Sequence, residues 1–261
     1  MKPFVSELKL FLFGPPRLER AGQPVPLTRR RAKALLAYLA LNPQSHSRDS
    51  LVALFWPDYD SSRGRADLSR LISGLNRLLG KDWLIAGRDV VGLNPEAPLE
   101  VDVSRFRQLL EPGGRHTHPP DEVCPACLPL LDQAVNLYQE PFMTGFTLAN
   151  SPDFDDWQRY ETERLSQELN GALERLSQGY ARQGDWELAL RYTQYWAARA
   201  PLDEPAHRQL MTFYALSGQR TSALTQYETC RQILAEELAI SPEEQTTALA
   251  EQIRAGTLGR M

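Results

Sequence analysis

From Leu8 the chain alternates Leu8, Leu10 and Leu12 with Lys9, Phe11 and Phe13, the period of a strand, and "RLERAGQPVPL" carries that pattern on around Gly22. A small N-terminal sheet is expected. The period then lengthens. In "RRRAKALLAYLALN", Ala32, Leu35, Leu36 and Leu39 form one apolar stripe, which predicts a helix with Thr28 as its N-cap and Pro43 as its stop. Ser47 is placed to cap a short second helix, "RDSLVALFW", with Leu51, Leu54 and Phe55 inward and Pro57 ending it. A third helix follows over Asp60 to Leu79. On a wheel of 100° per residue its Leu68, Leu71, Ile72, Leu75, Leu78 and Leu79 fall within about 120° of one another.

The opposite face of this third helix carries Arg63, Ala66, Arg70, Ser73 and Arg77 at steps of three and four, with Ser62 and Ser69 at its edge and Arg65 nearer the apolar side. An arginine-bearing amphipathic helix is commonly just a solvated surface. Here the arginines are separated by small side chains, the combination that lets a helix sit deep in a major groove and reach base edges or phosphates. After Gly80, "WLIAGRDVVGL" (Trp83 to Leu93) reads as a hairpin with Gly87, Arg88 and Asp89 at its tip. Three helices and a basic-tipped hairpin, in that order, make a winged helix-turn-helix. Its expected DNA-facing residues are Arg63, Arg70, Ser73, Arg77 and Arg88, with Arg65, Arg48 and Arg30 as further candidates. For Arg29, Arg30, Arg31 and Lys33, phosphate contact and a solvated basic helix start both remain open, because positive charge there opposes the helix dipole.

Past Asp153 the pattern is helical throughout and repeats itself. Leu176, Tyr180, Gly184, Ala189 and Leu190 recur 34 residues later as Leu210, Tyr214, Gly218, Ala223 and Leu224, the tetratricopeptide period. Pro201 closes the first unit; the second has Ala235 at the corresponding place. Two repeats need caps, which residues 153–175 and 242–254 are placed to supply, and such stacks either bind proteins on a concave face or serve as plain helical scaffolds. Trp157, Trp186 and Trp196 are expected in the core. The fold class is therefore mainly α: a winged helix-turn-helix with a small sheet and wing hairpin, then an all-α tetratricopeptide-like domain.

Charge sharpens this division. The 261 residues carry a net charge of −4, yet residues 1–104 hold 15 Lys+Arg against 11 Asp+Glu, a balance of +4, which leaves −8 for the remainder. A polyanion partner is expected to meet the first half and to be repelled by the second. No apolar run approaches the roughly 20 residues that span a bilayer and no signal-peptide pattern opens the chain, so a cytoplasmic protein without a membrane partner is expected. Between the halves, "RHTHPPDEVCPACLPLLDQAV" brings together His116, His118, Cys124 and Cys127. Cys-x2-Cys is a spacing that grips tetrahedral zinc; a redox pair and a plain proline-containing linker are the other readings. Four protein ligands would close the metal and leave no position for catalysis. "GLNRLLGKD" falls short of a phosphate-binding loop: five residues separate its glycines, Asp82 stands where Ser or Thr is needed, and the segment reads as helix. No enzyme is expected, and no cofactor beyond a structural zinc.

"LKLFLFGPPRLERAGQPVPLTRRRAKALLAYLAL", "RDSLVALFWPD", "RADLSRLISGLNRLLG" and "LEVDVSRF" together resemble the Streptomyces antibiotic regulatory protein family, and "LANSPDFDDWQRYETERL" and "LAEELAISPEEQTTAL" resemble the bacterial transcriptional activator domain that follows its winged helix. The likeness covers about 240 residues in order. "YQEPFMTGF" departs from it, with Glu140-Pro141 where Gly-Asp is usual. The resemblance implies an OmpR-like DNA-binding domain over 1–104, a linker over 105–127 and the activator domain over 128–261. It further implies transcriptional activation at promoter DNA, a homodimer on DNA repeats, and contact with RNA polymerase. The alternative is an interaction or sensory module detached from a larger ATPase-containing regulator.

Overall fold

The computed structural model describes residues 8–80, 82–111 and 123–258. They divide into two compact units, one of Met1–Gln108 with Asn136–Ser166 and one of Leu109–Val135 with Gln167–Met261. The elements in order are β1 (Leu8–Phe11), β2 (Arg17–Arg20), β3 (Gln23–Pro24), α1 (Arg30–Leu41), β4 (His46–Ser47), α2 (Arg48–Phe55), α3 (Ser61–Leu79), β5 (Leu84–Ala86), β6 (Val90–Leu93), β7 (Leu99–Val101), α4 (Asp102–Leu110), α5 (Leu128–Leu137), α6 (Pro152–Arg182), α7 (Trp186–Arg199), α8 (Glu204–Leu216), α9 (Arg220–Leu238) and α10 (Glu244–Ala255).

In the first unit, β1 pairs antiparallel with β2 and parallel with β7 in the order β3-β2-β1-β7, so the strand just after the wing returns to the first one. Asp102 secures that return. Its buried carboxylate accepts the amides of Leu12 at 2.8 and 2.9 Å, Phe13 at 3.0 Å and Val103 at 2.8 Å. Burial pushes this carboxyl group up from its ordinary range, and the three amides pull it back in part. The expected wing is present: β5 and β6 pair antiparallel, and β4 adds a third strand in the order β4-β6-β5.

The helical triad forms as its periodicity requires, with one local correction. Ser47 caps α2, accepting from the Ser50 amide, and Asp60 caps α3, accepting from the Arg63 amide. Thr28 does not cap α1; the cap position is Arg29, with no side-chain hydrogen bond. The start of α1 is held from its flank instead, where Arg30 donates to the Thr147 carbonyl at 2.6 and 2.8 Å and Arg31 donates to the Phe55 carbonyl at 3.0 Å.

Residues 136–166 belong to this first unit. Phe154 packs on Phe55 at 5.5 Å between ring centroids, Trp157 on Tyr38 at 5.1 Å, and the Met143 amide donates to the Leu12 carbonyl at 2.7 Å. The Glu140-Pro141 departure fits here without loss: the Pro141 carbonyl accepts from the Gly14 amide at 3.1 Å, and the donor that proline lacks is not called on in this bridge.

In the second unit the 34-residue repeat is a repeated turn. Gly184 and Gly218 both have left-handed φ, +78° and +83°, and each follows a tyrosine whose carbonyl accepts from five residues ahead: Tyr180 from Asp185, and Tyr214 from Gln219. Pro201 lies just beyond α7, whereas nothing stops α9 at Ala235, and it runs on to Leu238. Glu204, buried at the start of α8, accepts the Glu243 amide at 2.9 and 3.0 Å and thereby fixes where α10 begins.

Gly64 has no side chain because α2 leaves no room for one. A Cβ there would stand 2.3 Å from Val52 Cγ1, and Val52 is 6% exposed. Gly64→Ala gains about 1 kcal/mol of helix propensity but overpacks a closed crossing at about 1–3 kcal/mol. A lower urea midpoint is expected for Gly64→Ala, and most of the loss should vanish when the same substitution is made in a Val52→Ala background.

Candidate nucleic-acid interface

The amphipathic division of α3 is sharp. Leu68, Leu71, Ile72, Leu75 and Leu79 are buried, Leu78 is only half-buried at the edge, and Arg63, Ala66, Arg70, Ser73, Gly74 and Arg77 are exposed. A Cβ at Gly74 would meet nothing within 4 Å, so that stretch of the outer face is bare backbone between Arg70 and Arg77. Both ends of α3 are held. Asp60 satisfies its first turn, and Arg20 of β2 donates to the Leu78 and Leu79 carbonyls at 3.0 Å each, neutralising the negative end of the helix. Arg20 was not among the residues expected at this site, because only the tertiary pairing of β2 with β1 brings it under the end of α3.

The expected residues separate by what holds them. Arg63 lies over the Tyr59 ring, 4.0 Å from its centroid, with its own guanidinium exposed. Arg70 is paired with Asp67 one turn earlier while remaining 71% exposed. Arg65 grips Asp49 of α2 through two hydrogen bonds of 2.6 and 2.5 Å, and that pairing draws the Asp49 carboxyl below its ordinary range. Ser73, Arg77 and Arg88 are exposed, and neither Arg77 nor Arg88 has an ion-pair or hydrogen-bond partner among the described residues.

Arg30 is exposed and Arg48 half-buried, and both also make hydrogen bonds within the first unit. Arg48 Nε donates to the Gly87 carbonyl at the wing tip and Nη1 donates to Ser69 Oγ of α3, both at 3.1 Å, while its amide donates to the Asp89 carbonyl at 2.8 Å. One guanidinium thus ties wing to helix and sets the spacing between them. Arg30 spends its donors on Thr147 and lies 4.9 Å from the Phe146 ring centroid. Arg29 was not singled out from its neighbours in the sequence, yet with Thr28 it lines a groove of about 570 Å³ whose other wall is Ser69, Arg70, Ser73 and Arg77. Arg29 and Arg30 are exposed, and with Arg31 they line a second groove that also takes in Asp67 and Arg70 of α3, so the Arg-rich start of α1 lies beside the outer face of that helix.

Cys124 and Cys127 are described; His116 and His118 lie outside the described residues. Among the described residues no group of three or more His, Cys, Asp or Glu side chains is arranged to hold a metal ion. No helix there is long and apolar enough to cross a membrane.

Comparison with known proteins gives this geometry a setting. The family model of the bacterial transcriptional activator domain matches residues 101–254. The transcriptional regulatory protein EmbR of Mycobacterium tuberculosis is 27% identical over 265 residues, covering 95% of this chain and 63% of EmbR. The regulatory protein AfsR of Streptomyces griseus is 25% identical over 248 residues, covering 94% of this chain and 24% of AfsR. The solved structure of M. tuberculosis EmbR in complex with a low-affinity phosphopeptide shares the fold, with a TM-score of 0.74 at 23% identity over 96% of this chain and 66% of that one. The chain thus spans less than two thirds of the curated EmbR relatives and about a quarter of AfsR.

If Arg48 holds the wing, Arg48→Ala should speed amide exchange at Gly87, whose N–H bonds Val90 across the tip, by several-fold while the amides of α1 keep their protection. Native-state hydrogen exchange read residue by residue checks this.

Proposed function

We propose that this chain, which belongs to the bacterial transcriptional activator domain family, is a cytoplasmic, sequence-specific DNA-binding regulator that activates transcription through promoter DNA. The observation that carries the reading is the outer face of α3. It offers Arg70, Ser73 and Arg77 around the bare Gly74 backbone, on a helix anchored at both ends, beside a wing whose tip carries Arg88.

The chemistry follows from which cations are occupied. Arg77 and Arg88 can take phosphate oxygens at no cost to an internal pair. Arg70 exchanges Asp67 for a guanine edge or phosphate, and Asp67 then repels wrongly placed phosphates, so the pair acts for selectivity. Arg65 and Arg48 hold the frame. The helical second unit, with its repeated turn, supports contact with RNA polymerase or with a second copy of the chain on repeated sites.

Duplexes selected from a random pool, then titrated with the full chain at several salt concentrations, test this. Expected are a steep fall of affinity with salt and a marked preference for the selected sequence. Arg70→Ala should cut that preference by about 1–3 kcal/mol. Arg77→Ala should weaken all sequences alike and make the salt slope shallower by about 0.9, the share of one neutralised phosphate. Binding that ignores sequence and responds weakly to salt would sink the proposal and favour a module that binds protein.

A further inference from the structure

We infer that the cleft between the start of α1 and the outer face of α3 holds the phosphodiester backbone of a DNA strand, with Arg29 as its clamp on a phosphate. This rests on the DNA-binding reading of α3 and adds a second contact surface to it. The cleft has two parts. One, of about 570 Å³, lies between Thr28 and Arg29 on one wall and Ser73, Gly74 and Arg77 on the other; the second, of about 500 Å³, takes in Arg30, Arg31 and Asp67. Arg29 and Arg70 line both, so the two parts adjoin.

The lining is rich in positive charge. Among the described residues Arg29, Arg30, Arg31, Arg70 and Arg77 share it with a single carboxylate, Asp67, which is already paired with Arg70. Arg30 is held by the Thr147 carbonyl and Arg31 by that of Phe55, and bonding to a neutral carbonyl leaves each its full charge. Along α3 the positive wall extends from Arg70 to Arg77, about 10.5 Å of helix. A lone phosphate covers a fraction of that length, whereas a duplex strand brings one about every 3.4 Å along its axis.

Arg29 contributes little to the fold. It stands at the cap position of α1 with φ and ψ of −76° and 119° and makes no side-chain capping bond. Its guanidinium has no ion-pair or hydrogen-bond partner among the described residues. A cation there opposes the helix dipole, and the first turn holds no acidic residue to offset it. Serine at the same extended backbone would accept an amide of the first turn and stabilise the helix. Arginine in this place costs the free protein stability and strengthens its hold on a polyanion.

The test compares the unmodified full chain with Arg29→Ser and with Lys33→Ala, which removes a charge from the same helix start outside the cleft lining. Each is titrated with a selected duplex between about 50 and about 200 mM salt. For Arg29→Ser the salt slope should be shallower by about 0.9, so that its loss of affinity shrinks about 3.5-fold across that range, with the sequence preference unchanged. Its urea midpoint should rise, so misfolding does not account for the weaker binding. Lys33→Ala should keep the slope of the unmodified chain. A slope unchanged in Arg29→Ser, or lowered equally in Lys33→Ala, overturns this inference and leaves the α3 reading standing. An unmodified chain whose binding ignores both sequence and salt overturns the two together.

Discussion

The crossing of α2 and α3 at Gly64 is the constraint on which the first unit depends. The two helices approach so closely that Val52 occupies the space a side chain on Gly64 would need, and this closeness lets a short α2 support a nineteen-residue α3. A helix that must bury Leu68, Leu71, Ile72, Leu75 and Leu79 on one side has its orientation decided by that burial, at about 1.5–3 kcal/mol for each large apolar side chain removed from water. The opposite face is outward as a consequence, and so are Arg70, Ser73 and Arg77. The face proposed for recognition and the face that packs the core belong to one helix.

Around that helix, polar groups define position more than strength. Exposed ion pairs such as Arg65 with Asp49 contribute little to stability in water, but a two-point guanidinium–carboxylate contact has a narrow geometry. Arg65 joins α2 to α3, Arg48 joins α3 to the wing, and Arg20 joins the sheet to the end of α3. Arg65 and Arg48, two of the arginines expected at DNA from the sequence, thus also bond across the frame that positions their neighbours. On the proposed DNA-binding reading, a wing and a helix entering adjacent grooves need this fixed spacing, since displacement by even one base-pair step misplaces every contact.

Asp102 and the aromatic cluster answer a different question, namely how segments far apart in the chain become one unit. A carboxylate taking amides from Leu12, Phe13 and Val103 locks the last strand against the first. Residues 136–166 then complete the same core with Phe154 and Trp157, over a hundred positions after Tyr38.

Periodicity alone determined the three helices, the wing, the apolar stripe of α3 and the 34-residue repeat, because each depends on neighbours within one or two turns or on a glycine that a turn demands. Ser47 as a cap, the start of α3 at Asp60, and Ser73 and Arg77 as outward residues were legible for the same reason. Tertiary structure decided what local pattern cannot express. It assigned Arg48 and Arg30 to internal bonds, brought Arg29 beside α3, turned Gly64 into a packing requirement and placed residues 136–166 in the first unit. An arginine carries the same charge whether it meets a backbone carbonyl or open solvent, and only the folded chain determines which carbonyl is within its reach.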